Sequence, residues 1–193
     1  MAYDLCMQPD EEIIASYVRG DHDAFALLVE RHLTSVYGFA LRLTGNSSDA
    51  EDIAQESFMK AWKHIARFEP QKARFKTWLM QIVRNTAIDH LRKGGTVSLS
   101  IDEDDDGGRD VGDILTDDAP LPDEIAARAE DAAMLEASLQ LILPSYREIV
   151  LLYNDNNLTF EEVALVLGIP MNTAKSRYRR ALEALRKVVV HQK

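Results

Sequence analysis

Six polar side chains near the C-terminus have types and spacing that fit a DNA reader, with a solvated basic helix that binds nothing as the competing reading. Asn172, Thr173, Lys175, Ser176, Arg179 and Arg180 fall on one face of a predicted helix, opposite Ala174, Tyr178, Ala181, Leu182 and Leu185. Arginine, lysine and asparagine in the first turns of a helix can read base edges in the major groove. Threonine and serine hydroxyls, together with the helix N-terminus, suit phosphate. A second stretch, Lys60–Lys93, carries nine bases against Glu69 and Asp89 and interleaves them with Trp62, His64, Phe68, Phe75 and Trp78. Aromatic faces stack on unpaired bases while lysine and arginine follow the backbone, which is how single strands are held. Trp62, Phe75 and Trp78 fall on apolar stripes and are read as core. His64 and Phe68, nearer a loop, are the contact candidates.

A third surface lies on the helix predicted before that stretch, where Asp52, Gln55, Glu56, Met59, Lys60 and Lys63 share an outward face. Its acidic start and basic end complement a helix dipole, so a solvated face and a protein-binding face both remain open. For catalysis the chain offers little. It contains no phosphate-binding G-x-x-x-x-G-K-[ST], no G-x-S-x-G, no H-E-x-x-H and no dinucleotide glycine pattern. The Asp102–Asp106 run lacks EF-hand spacing and is read as a solvated tether, so neither metal nor cofactor is expected.

Apolar spacing predicts helices nearly everywhere and no strand alternation. A short helix after Pro9 carries Ile13, Ile14, Tyr17 and Val18 and ends at Gly20. Asp21 is the expected cap of a long helix with Phe25, Leu28, Val29, Leu33, Val36, Ala40 and Leu43 on its stripe, stopped by Gly45-Asn46. Ser48-Asp49-Ala50-Glu51 has the form of a capping box, opening a helix that buries Ala50, Ile53, Ala54, Phe58, Ala61, Trp62 and Ile65. A loop over 68–74 precedes a fourth helix, closed by Gly94-Gly95. Later come an alanine-rich helix over 123–143 ended by Pro144, a helix around Tyr146–Tyr153, and a capping box at Thr159-Phe160-Glu161-Glu162. Gly168-Ile169-Pro170 makes a turn, with Asn172 the expected cap of the last helix, ending near Val189. Short helix, glycine-containing turn and basic helix make a helix-turn-helix.

The fold expected is therefore all-α, with two small helical domains: four helices over 1–93 and a helix-turn-helix unit over 123–193. Residues 94–122, rich in glycine, proline and acid, are read as a flexible linker, able to span about 95–100 Å when taut. The formal net charge of −10 on 193 residues argues against nucleic acid only as an average. Charge is segregated: +7 over 60–93, −11 over 94–133 and +6 over 171–193. Cys6 is the only cysteine, which excludes an internal disulfide. No stretch approaches a membrane span and the N-terminus lacks a signal pattern, so a cytoplasmic, reduced location is expected.

Taken in order, these residues resemble the extracytoplasmic-function sigma factors of bacterial RNA polymerase. The strings are Asp49-Ala50-Glu51-Asp52-Ile53-Ala54-Gln55-Glu56-Ser57-Phe58, Lys60-Ala61-Trp62, Phe75-Lys76-Thr77-Trp78-Leu79 and Arg84-Asn85-Thr86-Ala87-Ile88-Asp89-His90-Leu91-Arg92-Lys93. Further on stand Leu143-Pro144, Arg147-Glu148, Glu161-Glu162-Val163-Ala164 and Thr173-Ala174-Lys175-Ser176-Arg177. The resemblance covers most of 10–93 and 134–188. It implies sigma region 2 over 1–93 and sigma region 4 over 123–193.

The resemblance also implies roles. Asp49, Asp52, Gln55, Glu56 and Met59 would grip core polymerase, whose β and β′ subunits are the expected partners. Lys60, Lys63, His64, Arg67, Phe68, Arg74 and Lys76 would melt the minus-ten element of promoter DNA and hold a flipped base. Asn172, Thr173, Lys175, Ser176, Arg177, Arg179 and Arg180 would read the minus-thirty-five element as duplex. An anti-sigma factor is the expected controller; it could tether the chain to a membrane indirectly, with no insertion of the chain itself. Asn172, Ala174 and Leu182 depart from the family's usual glycine, valine and arginine, which leaves the promoter sequence unread. Two other readings compete: a sigma mimic that sequesters an anti-sigma factor without touching DNA, and a simple helix-turn-helix regulator. Both basic surfaces weigh against the first, and the four-helix N-terminal domain against the second.

Overall fold

The computed structural model describes residues 8–93 and 129–191, and every regular element among them is helical. The first group comprises α1 (Asp10–Val18), α2 (Ala24–Thr44), α3 (Ser47–His64), a 3-10 turn (Ile65–Arg67) and α4 (Phe75–Lys93). The second comprises α5 (Ala129–Leu141), α6 (Pro144–Val150), a π-helical turn (Leu151–Asp155), α7 (Phe160–Leu167) and α8 (Met171–His191).

In the first group Leu28, Val36, Phe39 and Leu43 of α2 meet Ile53, Phe58 and Ala61 of α3 and Phe75, Leu79 and Val83 of α4, all buried. The α2–α3 corner is tight because Gly45 takes a left-handed φ of 73° and its N–H bonds to Leu41 O. Asn46 then accepts from the backbone N–H groups of Ser48 and Asp49, so the cap is Asn46 and not the expected box at Ser48. Helix α1 is tied down by Asp10, whose carboxylate accepts from Arg31 at 2.6 Å and meets His32 Nε2 at 2.8 Å.

In the second group Thr159 and Glu162 form the expected capping box on α7. Gly168 closes α7 with a left-handed φ of 68°, and α8 begins three residues later. Helix α5 ends at Leu141 rather than at Leu143, and Pro144 stands at N1 of α6, where its missing N–H costs nothing. The two groups share one continuous core: α7 lies across α4, and α5, α6 and the π turn lie against α2.

The expectations for Asp21, Asn172, Leu33 and Trp62 are corrected. Helix α2 starts at Ala24 with Asp23 in the cap position and no side-chain cap, so Asp21 does not serve. Asn172 stands inside the first turn of α8 rather than capping it. Leu33 is 47% and Trp62 52% exposed, so neither is core. The 94–122 linker and the start of the helix expected over 123–143 lie outside the described residues.

Candidate functional site

Helix α8 buries Ala174, Tyr178, Ala181 and Leu185 and turns the opposite side to solvent. Tyr178 is fixed at both ends of its ring: it packs with Tyr153 and Phe160 at centroid distances of 4.8 and 5.5 Å, and its hydroxyl donates to Asn154 Oδ1. Burial pushes its phenol above the ordinary value, against the Asn154 hydrogen bond. The π turn presents Asn154 for this contact, since its amide also donates to Val150 O one turn back.

With the inner side anchored, Asn172, Thr173, Arg179 and Arg180 are exposed on the outer side. Lys175 is half-buried, its ammonium 5.8 Å from the centre of the Phe160 ring, and the Ser176 hydroxyl donates to Thr173 O within the helix. Arg177 lies differently: it is 4.0 Å from the buried carboxylate of Glu148 and faces the body of the protein. Of the seven residues expected to meet duplex DNA, Asn172, Thr173, Arg179 and Arg180 are exposed, Lys175 and Ser176 are half-buried, and Arg177 lies toward Glu148.

The basic-aromatic stretch is more divided. Lys63, His64 and Arg67 are exposed where α3 passes into the 3-10 turn. Phe68 packs edge-on against Phe75 and tilts against Trp78, with centroids 5.7 and 5.5 Å apart. The aromatic expectation is therefore exchanged in part: Phe68 joins a ring cluster, and Trp62 stands out. Lys60 is half-buried, donating to the Thr86 hydroxyl and pairing with Glu56 at 2.9 Å. The Lys60 hydrogen bond holds the Glu56 carboxyl below its ordinary value. Arg74, Lys76 and Thr77 all lie near one acid of the second group, Glu162. Thr77 donates to it at 3.0 Å, and Arg74 Nε is 3.8 Å away. Burial draws the Lys76 ammonium below the usual lysine value, against the pull of Glu162 and Asp10.

On α3, Asp52, Gln55, Glu56 and Met59 are exposed along one face, while Asp49 bonds to His90 at 3.2 Å. This face borders a groove of about 500 Å³ between α2 and α3, lined by Phe25, Val29, Leu33, Phe58, Met59 and Trp62, with Glu51 and Gln55 among its few polar groups. An exposed apolar groove with acid and amide at its rim suits a partner helix better than water. Its signal was in the sequence: Phe25, Val29 and Leu33 at i, i+4 and i+8 make a row beside the buried Leu28-His32-Val36 row.

Sequence reasoning gave no site role to Arg147, Glu148, Arg84 and Glu162, which bond across the two helical groups. Arg147 is 7% exposed and reaches Leu139 O, Gln140 O and Ile142 O at the end of α5, as well as Leu43 O in α2. Nothing in helical periodicity marks a buried arginine as the joint of two helix ends. Among the described residues no histidine, cysteine or carboxylate cluster could hold a metal.

The sigma-70 region 2 profile matches residues 28–96 and the sigma-70 region 4 profile matches 132–185. The chain is 33% identical to the ECF RNA polymerase sigma factor SigW of Bacillus subtilis, over 88% of this chain and 90% of that one. It is 31% identical to the RNA polymerase sigma-H factor of Pseudomonas aeruginosa, over 96% of each. Among solved structures it resembles CnrH bound to the cytosolic domain of CnrY, with a TM-score of 0.68 and 24% identity over 95% of this chain and 99% of that one. It also resembles the sigma factor RpoE bound to the anti-sigma factor NepR from Bartonella quintana, with a TM-score of 0.63 and 25% identity over 89% and 99%.

Proposed function

This chain belongs to the extracytoplasmic-function sigma factors, and from that premise we propose how its surfaces divide the work of starting transcription at chosen promoters. The exposed groove and the adjoining Asp52, Gln55, Glu56 and Met59 dock core RNA polymerase, with Trp62 and Leu33 as apolar anchors. Lys63, His64, Arg67, Arg74 and Lys76 hold the opened minus-ten strand; flipping a base there costs a few kcal/mol of unstacking, which cation and ring contacts offset. Asn172, Thr173, Lys175, Arg179 and Arg180 read the minus-thirty-five duplex, with Arg177 a positioning residue held by Glu148. The division into 1–93, a 94–122 tether and 123–193 follows this allocation.

One observation carries the reading: among the described residues a single chain presents an exposed apolar groove on one helical group and an exposed basic helix face on the other. A regulator that binds duplex alone has no use for the groove. No catalytic group is assigned. Control by an anti-sigma factor belongs to this reading, and the site of action is the cytoplasm; among the described residues no helix is long and apolar enough to cross a membrane.

Run-off transcription with core polymerase on a genomic fragment library tests it. Defined new start sites sharing a two-part upstream motif are expected. Binding to an anti-sigma partner without any initiation would instead make the chain a decoy and remove the DNA roles.

A further inference from the structure

Lys175 differs from the other cations near the start of α8. Arg179 and Arg180 stand in water, whereas Lys175 is half-buried and its ammonium lies 5.8 Å from the centre of the Phe160 ring. That distance is within reach of the attraction between a cation and an aromatic face. Among the described residues the ion pairs of the second group use Glu136, Glu148, Asp155 and Glu162, and none of them takes Lys175. The ring is what the ammonium meets.

Phe160 itself has little freedom. It is the first residue of α7, directly after the Thr159 cap with its box to Glu162. Its ring stacks on Tyr153 at 4.4 Å, with 24° between the planes, and meets Tyr178 edge-on at 5.5 Å. Tyr178 is buried and bonded to Asn154, so the whole aromatic column is braced from the core. A ring held in this way offers a cation one fixed place.

In a helix-turn-helix the second helix enters the major groove and the first crosses the phosphate backbone. A cation drawn from α8 toward the first residue of α7 is thereby drawn toward the backbone and away from base edges. Lysine meets phosphate as a point charge, whereas the planar fork of arginine matches two acceptors on one base. We propose that Phe160 is a positioning residue for duplex binding: its braced ring sets the Lys175 ammonium against a backbone phosphate and leaves base reading to Asn172, Arg179 and Arg180. The inference rests on the duplex role given above to α8. It divides that role between a residue that grips any duplex and neighbours that choose among duplexes. Phosphate contacts carry no sequence information but fix the register in which the base contacts are made.

The test measures binding of the full chain to two duplexes of equal length. One carries the upstream motif of a start site found by run-off, and the other is of random sequence. Lys175→Met removes the charge and keeps an apolar stem. It should weaken both duplexes alike, by about fivefold, and lower the salt slope by about one. Phe160→Leu should weaken both by about threefold, and Phe160→Tyr, which keeps the ring face, should bind like the parent. In the Lys175→Met background Phe160→Leu should cost nothing more. A second readout needs no DNA: the Phe160 ring current should move the Lys175 ε-methylene signals upfield in the parent and in Phe160→Tyr. The parent spectrum and Lys175→Met keep the test decisive even if Phe160→Leu unfolds.

A cost of Phe160→Leu that persists without the lysine charge makes the ring mere packing and overturns the positioning role. Unshifted ε-methylene signals in the parent overturn it equally. A loss confined to the motif duplex in Lys175→Met makes Lys175 a base reader and overturns the phosphate assignment. Arg179→Ala separates these failures from that of the duplex reading. If it too leaves both duplexes bound as before, α8 is not the reader and the inference falls with it.

Discussion

The two helical groups solve opposite problems. The second leaves the face proposed for duplex DNA open: α8 keeps Tyr178 and Ala181 inside and leaves Arg179 and Arg180 in water. The first keeps its apolar groove open but bonds Thr77 to Glu162 of its neighbour, with the exposed Arg74 3.8 Å from the same carboxylate. A duplex presents a preformed groove to a rigid helix, so an always-ready reader loses nothing. A single strand must be unpaired first, and a surface that bound it at all times would collect any exposed strand. The difference suits an order of events in which duplex contact comes before strand capture.

The groove gives the largest expected effect. Trp62→Ala should weaken core-polymerase binding by at least about 2 kcal/mol, as truncation of a central aromatic anchor does. Because Trp62 is half exposed, its melting temperature should stay near that of the parent chain. A large fall in melting temperature with unchanged core binding would return Trp62 to the core and dissolve the contrast between the groups. Competition binding and thermal unfolding on the same preparation decide it.

Next in size, Arg179→Ala should cost about 1–3 kcal/mol of binding to the minus-thirty-five duplex and relax preference at one base pair. Its effect should be the same in the parent chain and in the Arg84→Met background, which lacks the bond to Glu148. Dependence on that background would mean that the contact between the groups reaches the recognition helix.

Asp10 sharpens the account of the first group. Burial pushes its carboxyl upward, but the hydrogen bonds and charges of His32 and Arg31 outweigh this and hold it below the ordinary value. A depressed carboxylate contributes stability above its unfolded value and loses it as pH falls through the folded one. Asp10→Asn should therefore cost about 1–2 kcal/mol near neutrality and progressively less in acid, read from urea midpoints. An equal cost at every pH would show that packing, not charge, seats α1.

The smallest effect is at the helix-turn-helix. Thr159→Ala removes half of the capping box and should cost about 1 kcal/mol of stability. Duplex affinity per folded molecule should not change.

Much of this was legible in sequence because helices declare themselves locally. The 3.6-residue period marked α2, α3, α4 and α8, and the Thr159 to Glu162 spacing marked the α7 cap. Local competition between good capping residues was harder to judge. Asn46 captured the start of α3 ahead of Ser48, because its side chain reaches two free N–H groups from the residue after the left-handed Gly45. Trp62 was misplaced because periodicity separates apolar from polar faces but cannot say which of two apolar rows has a neighbour to pack on.

By itself, then, the sequence determined the all-helical class, the helix-turn-helix, the segregated charge and the family, since each depends on residues within a few turns of one another or on their order. Tertiary structure alone decided that Arg147 would cap two helices at once, that Arg84 would find Glu148, and that Glu162 would lie on Thr77. Those pairs are separated by 104, 64 and 85 positions. Long-range pairs form only after the chain has paid the entropy of closing the loops between them, and no local pattern records which acid will meet which base.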